Sequence, residues 1–299
     1  MQRIDRFNLA DRIITIGFCA NAFLMVIKLM AGYFGKSEAV FADGMESACD
    51  FVALMATMIA LKIGRKPFDA NHPYGHGKAE SISAILVSLI IIATGAGILS
   101  QAVITIMAGV YQQPRFIAVL AAIVTIVIKE FLCRYSLRGG STLGSPAVLA
   151  IAKDHRKDAI TSVATLIGVS CAFFGFKIMD PIAAGLTSFF IFHIGYKTFT
   201  TAAHELMDRQ PPTEVINSIT AIAEKIEGVE HVHEIRGRRS GQYIIIDLKL
   251  DIDSQMTVKC SHDIAERVKQ HIFDQFHEVG DVMIHINPHD EEHDDLIRL

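Results

Sequence analysis

Five carboxylates stand inside stretches that otherwise read as lipid-facing. Asp43, Glu46 and Asp50 interrupt one long apolar run, and Asp154 and Asp158 interrupt another. A charged side chain at the centre of a bilayer costs about 2.5–3.5 kcal/mol on insertion scales, and such residues mostly mark ion pathways. Spacings of three, four and seven put each set on one face of its helix. Two carboxylates from each of two facing helices would form a four-ligand cage, the usual way a helical bundle builds a metal site. Anions packed so closely repel, so the cage should hold a dication or protons. Metal entry would then displace protons, and protons arriving from the other side would expel metal. The competing explanation is structural pairing of Asp154 and Asp158 with Lys153, Arg156 and Lys157, of which Lys153 and Lys157 can snorkel to the interface. No base lies between Lys36 and Lys62 to do the same for Glu46 and Asp50.

A second constellation follows the first acidic run, in Asp69-Ala70-Asn71-His72-Pro73-Tyr74-Gly75-His76-Gly77-Lys78. Asp69, His72 and His76 offer the oxygen and nitrogen donors that Zn²⁺ or a similar ion takes. A polar turn punctuated by Pro73 and two glycines accounts for the same letters without any ion. Elsewhere, Lys129 with Glu130 reads as a structural pair near a helix end. His193 and His204 read as residues facing protein or the interface.

The elements that must position these groups fall into two parts. Six segments are long enough to cross a bilayer, which takes about 20 helical residues: 12–34, 39–63, 80–109, 115–135, 147–175 and 180–205. Acidic residues interrupt the second and fifth, which a strict hydropathy window would therefore score poorly. Basic residues concentrate in the N-terminal arm (Arg3, Arg6, Arg12), in the second connection (Lys62, Arg65, Lys66, Lys78) and in the fourth (Arg134, Arg138). By the positive-inside rule both termini are expected in the cytoplasm. No cleavable signal peptide is evident.

Residues 1–207 carry 18 Lys/Arg against 13 Asp/Glu, whereas residues 208–299 carry 10 against 19. The second part reads as helix 213–227, strands 231–238 and 243–251, helix 257–277 and strand 281–287. Arg238 to Gln242 supply the hairpin turn. The expected fold is thus an α-helical membrane protein with six transmembrane helices (1–207), followed by an α+β domain of αββαβ order (208–288). An acidic, His-containing tail (289–299) of disordered composition ends the chain. That tail serves either solubility or the gathering of metal ions. The five cysteines are scattered without a CxxC pair, so no disulfide framework is expected. No nucleophile–base pair or phosphate loop suggests an enzyme, and an acidic soluble part gives no support to nucleic-acid binding.

The acidic second span, the loop HPYGHGKAE and the DHRKD of the fifth span together resemble the cation diffusion facilitators. The resemblance covers nearly the whole chain. It implies a proton-coupled exporter of divalent ions such as Fe²⁺, Mn²⁺ or Zn²⁺, with the ions as substrate and possible regulator and protons as counter-ion. It also implies a metallochaperone-like αββαβ domain through which the protein forms a homodimer, or a heterodimer with a sister transporter. KPFDANHPYGHGK, the SPA before the fifth span and the GQ of the hairpin are similar to the magnetosome-membrane branch, which is linked to iron. The implied location is a bacterial inner membrane or an organelle membrane derived from it.

Carried over by this resemblance, the transport site falls on Glu46, Asp50, Asp154 and Asp158, and the loop site on Asp69, His72 and His76. Zinc-type members have Asp at the position of Glu46 and His at that of Asp154. Four oxygen ligands form a harder site, suited to Mn²⁺ or Fe²⁺. His155 lies about 100° around the helix from Asp154 and would substitute only if the helix rotated. Lys157 stands where a small Ser is common. In the soluble domain His233, His262 and His285 match the family's metal ligands, but Lys249 replaces a histidine and Asn287 a carboxylate. Asp247 shares a face with Lys249, so a single regulatory site of Asp247, His262 and His285 is expected in place of a two-metal centre. The alternative is that these histidines are ordinary half-exposed polar residues. These departures keep a second class open, a metal-sensing membrane scaffold that supports a sister transporter and carries little itself.

Overall fold

A computed structural model describes residues 3–143 and 145–289. Six long helices come first: α1 (Arg3–Phe34), α2 (Glu38–Gly64), α3 (Ala79–Ala108), α4 (Phe116–Leu143), α5 (Pro146–Phe173) and α6 (Met179–Leu206). Each has at least 27 residues. At about 1.5 Å per residue that is ample for a hydrocarbon core of about 30 Å. By length and composition α1, α2, α3 and α4 are apolar enough to cross a membrane. The expectation that α2 would score poorly is corrected, because its acids sit in the first half and leave Phe51–Leu61 almost wholly apolar. The fifth helix does fall short, as expected. The sixth falls short too, diluted by Thr187, Ser188, His193, Tyr196 and Lys197.

Local chemistry sets the helix ends. The α1–α2 turn closes through Gly35 and Lys36, the latter at a φ of 54°. Ser37 Oγ then accepts from the Val40 N–H at 3.2 Å. Asp180, at the start of α6, accepts from Ser37 Oγ and from the Glu38 N–H, both at 2.6 Å. A buried carboxylate from α6 thus satisfies the orphan donors that open α2. Between helices the contacts are small. A Cβ on Gly32 would lie 2.5 Å from the Phe41 backbone nitrogen, and one on Gly95 would lie 2.7 Å from that of Phe192. Close backbone approach of this kind is what packs helices in lipid, where burial of apolar surface supplies little drive.

Contacts divide the chain into two compact units. The first comprises residues 1–56 and 86–198. The second takes the end of α2 from residue 57, the following loop, the start of α3 to residue 85, and everything from residue 199 onward. Its soluble part contains α7 (Thr213–Ala223), β1 (His231–Ser240), β2 (Tyr243–Ile252), α8 (Val258–Gln275) and β3 (Val279–Pro288). β1 and β2 form an antiparallel hairpin, and β3 joins β2 in parallel. A parallel neighbour needs a crossover, which α8 provides.

Ile244, Ile246, Leu248, Leu250 and Ile252 alternate along β2 into a core shared with Ile216 and Ile219 of α7 and with Ile264, Val268 and Ile272 of α8. Period two in the strand and three-to-four in the helices is the αββαβ pattern expected from sequence. Boundaries differ from that reading by up to four residues. The first helix stops at Ala223, four residues early, ahead of Gly228 at a φ of 96°. Arg238 and Arg239 belong to β1, and the turn itself is carried by Gly241 at a φ of 61°. Of the tail, only His289 lies among the described residues.

Candidate metal sites

In the membrane-helix unit, Glu46 and Asp50 lie on α2 and Asp154 and Asp158 on α5. Glu46 and Asp158 are half-buried, while Asp50 and Asp154 are exposed. Asp50 sits within electrostatic range of Asp154, Asp158, Lys129 and Lys157. Glu46 sits within range of Asp43, Asp50, Asp158 and Lys28. Asp50 thus lies in the field of both fifth-helix acids and Glu46 in that of Asp158, but the four do not bring their oxygens to a common ligating distance among the described residues. Among the described residues, the one set whose ligand atoms all come within 4.8 Å is Asp69, His72 and His76.

One of the four is already held by a cation from another helix. Lys129 of α4 is 3% exposed. Its Nζ donates to Asp158 Oδ2 at 2.5 Å and to Asn21 Oδ1 of α1 at 2.8 Å. The expected Lys129–Glu130 pair is absent, because adjacent helical positions point about 100° apart. Glu130 instead accepts from Arg134 Nε at 2.7 Å and faces Arg156 at 3.7 Å. Arg156, one of the bases that the competing explanation assigned to the fifth-span acids, also donates to Cys133 Sγ at 3.4 Å. The partner of Asp158 thus comes from the neighbouring helix α4 and not from α5 itself.

Asp43 has a separate fate. It is 3% exposed and pairs with Lys28 of α1, which is 2% exposed, at 2.9 Å. Ser162 Oγ donates to its other oxygen at 3.2 Å, and Lys28 reaches Ser47 Oγ at 3.1 Å. The base that meets Asp43 lies on the first span and not along the second, where none stands between Lys36 and Lys62. A solitary lysine in the middle of an apolar span was the available signal. His155 is buried against Gly17 of α1, where a Cβ would lie 3.2 Å from its Nε2. That nitrogen has no hydrogen-bond partner among the described residues. Its orientation leaves the α2–α5 face to oxygen donors.

The loop set is compact. Asp69 Oδ1 accepts from the backbone N–H groups of Asn71 and His72 at 2.9 and 2.8 Å, the closed turn that Asp favours. Those bonds, the His72 N–H first, hold the Asp69 carboxyl below its ordinary range. His72 Nδ1 lies 3.2 Å from Asp69 Oδ1 and His76 Nε2 3.6 Å from Oδ2. The two rings are 4.3 Å apart at their centroids. His76 Nδ1 faces the Pro67 carbonyl oxygen at 3.2 Å, the outer contact that orients a ligating imidazole through its second nitrogen. Gly77 then presses on the hairpin tip of the same unit, and a Cβ there would meet the Ser240 carbonyl oxygen at 2.4 Å. Arg238 stacks over Tyr74 at 5.4 Å.

The soluble-domain residues do not converge within one chain. His233 Nδ1 faces Asp251 Oδ2 at 3.7 Å, and Asn287 Nδ2 donates to Asp251 Oδ1 at 3.4 Å. His262 is exposed on α8 beside Glu266, at 3.4 Å. Asp247 is met by Arg238 at 3.4 Å, and His285 stands opposite Lys249 in the β2–β3 register. Lys249 in turn pairs with Glu234 at 2.8 Å. Asp251, buried at the end of β2, was not singled out from sequence. Its single-residue surroundings, Leu250 and Ile252, mark it as an acid in a core strand.

Comparison with known proteins follows the same division. A family profile described as the cation efflux transmembrane domain matches residues 14–207. Another, described as the cytoplasmic domain of cation efflux proteins, matches residues 211–289. The manganese efflux system protein MneP of Bacillus subtilis is 36% identical over 295 residues, covering 96% of this chain and 99% of that one. The magnetosome protein MamB of Magnetospirillum gryphiswaldense is 34% identical over 274 residues, covering 92% and 91%. A solved variant of the MamM CTD in its manganese form is 28% identical, covers 25% of this chain and 96% of that one, and superposes with a TM-score of 0.25.

Proposed function

The chain belongs to the cation diffusion facilitator family of multi-pass cation efflux transporters, and we propose that it exports Mn²⁺ or Fe²⁺, in preference to Zn²⁺, in exchange for protons. The observation that carries the metal preference is the donor set. Glu46, Asp50, Asp154 and Asp158 supply oxygen alone, and His155, the one imidazole near them, is packed against α1. Hard oxygen donors suit Mn²⁺ and Fe²⁺, whereas an imidazole would favour zinc. The similarity to a manganese efflux protein over nearly the full length of both chains agrees with this choice.

Proton exchange follows from the same charges. Four carboxylates in a low-dielectric bundle are tolerable either with a dication or with protons, so the two ligands compete for one site. Rocking of the helices around that site would expose it to each side in turn. The positive-inside distribution supports cytoplasmic termini and a cytoplasmic soluble domain, and the membrane of this reading is a bacterial inner membrane or an organelle membrane derived from it. Dimerisation runs through the soluble domain, whose matching family profile is named for a dimer. His233, Asp247, His262 and His285 lie apart within one chain, so a regulatory metal there needs ligands from both protomers. Asp69, His72 and His76 form the cytoplasmic loop site.

A second reading is favoured by one observation. Asp158 already holds a lysine, which a metal-sensing scaffold for a sister transporter could keep permanently. Uptake of Mn²⁺, Fe²⁺ and Zn²⁺ into proteoliposomes under an imposed pH gradient separates the two. Gradient-driven Mn²⁺ or Fe²⁺ uptake that Asp50→Ala abolishes is the expected result. A well-folded dimer that moves none of the three would establish the scaffold in its place.

A further inference from the structure

We propose that Lys129 is a tethered counter-cation, which occupies Asp158 whenever the transported ion does not and is displaced when it binds. The inference rests on the transport reading of the α2–α5 carboxylates given above. Its starting point is the geometry of the ammonium. Nζ donates to Asp158 Oδ2 at 2.5 Å and to Asn21 Oδ1 at 2.8 Å, on a side chain 4% exposed. A metal–carboxylate oxygen bond is about 2.0–2.2 Å for a first-row ion such as zinc. An ammonium and a dication cannot both sit that close to one oxygen, because their mutual repulsion in a low-dielectric bundle is unscreened. Binding through Asp158 Oδ2, the oxygen that Lys129 holds, therefore requires Lys129 to let go.

The second bond gives the ammonium a partner to keep. Asn21 on α1 already accepts from Nζ, and its amide oxygen carries no charge to compete for. The ammonium can pivot on that contact and leave Asp158 without losing every partner. Charge bookkeeping favours the exchange. Glu46, Asp50, Asp154 and Asp158 present four potential negative charges on one face, which one buried lysine reduces by one. When the dication departs, return of the lysine limits the swing in net charge inside the membrane, where unpaired charge is most costly. The other buried lysine behaves differently. Lys28 pairs with Asp43 and Ser47, and Asp43 is not in the ligand set, so that pair has no reason to open during transport.

Lys129 then sets affinity as well as structure. A charge-assisted hydrogen bond of this type corresponds to about ten- to a hundredfold in an equilibrium constant. The metal must overcome that competition each time it binds, and release is helped by it to the same extent. A static positive charge beside the site would weaken metal binding as well, so a fall of kcat together with KM when the charge is removed is what marks a lysine that returns to Asp158.

Calorimetric titration of Mn²⁺ into the full-length dimer in detergent tests this with wild type, Lys129→Met and Asp158→Ala. Lys129→Met is expected to bind Mn²⁺ about tenfold tighter or more. In proteoliposomes it should lower KM and kcat together, because the ion enters without competition and leaves without help. Unchanged or weaker Mn²⁺ binding by Lys129→Met overturns the inference. Should that variant not yield a monodisperse dimer, Lys129→Gln removes the charge while keeping a donor, and the same two outcomes apply. If Asp158→Ala leaves Mn²⁺ binding intact, the transport-site reading itself fails and this inference with it. Loss of binding in Asp158→Ala without tightening in Lys129→Met rejects the counter-cation alone.

Discussion

Replacement of Lys28 by methionine removes a charge and keeps most of the volume, which makes it a clean probe of the buried α1–α2 ion pair. Lys28 and Asp43 are 2% and 3% exposed, and their 2.9 Å contact is supported by Ser47 on one side and Ser162 on the other. In Lys28→Met, Asp43 keeps only the neutral hydroxyl of Ser162, too little to stabilise a carboxylate out of water. Breaking a buried pair from one side costs about 3–5 kcal/mol, and the low exposure of both groups places this pair in that range. Removing both charges is another matter, since an isosteric neutral pair is often nearly neutral in stability. Lys28→Met/Asp43→Asn should therefore recover most of the loss, with a coupling energy of about 2 kcal/mol or more. Unfolding of the detergent-solubilised protein, followed for wild type, both single variants and the double variant, reads these differences directly. A single-variant loss below about 1 kcal/mol, or a double variant no more stable than the worse single one, would refute the reasoning.

Two further predictions concern the second unit. In β1 and β2, Lys249 and then Arg236 hold the Glu234 carboxyl below its ordinary value. A depressed acid stabilises the fold fully above its unfolded value of about 4.3 and loses that contribution as pH falls through its lower folded value. Lys249→Met should flatten the stability profile below about pH 5, by no more than about 0.5 kcal/mol for so open a pair, and an unaltered acid limb in denaturation curves would count against the pairing. Gly77→Ala should cost about 1–3 kcal/mol, because its Cβ would fall 2.4 Å from the Ser240 carbonyl oxygen. The displaced loop should also bind Zn²⁺ more weakly at Asp69, His72 and His76, and titration with wild-type affinity would show that the loop does not depend on the hairpin.

What the linear order of residues determined by itself was periodicity and placement. Apolar length specified the long helices, and alternation along Tyr243–Ile252 specified the core strand of the soluble domain. Spacings of four put Glu46 with Asp50 on one face of α2 and Asp154 with Asp158 on one face of α5. Asp69, His72 and His76 were legible as a set because a tight turn is a local structure, closed by bonds between residues at most nine positions apart. Only the tertiary structure decided which charges meet. Lys129 binds Asp158 across 29 positions and Lys28 binds Asp43 across 15, each joining helices whose rotation about their own axes no local pattern specifies. The same rotation turned His155 toward Gly17 and left the carboxylate face to oxygen alone. Electrostatics in a bundle depends on distance in space, and helix packing, where small residues such as Gly32 and Gly95 permit close approach, is what sets that distance.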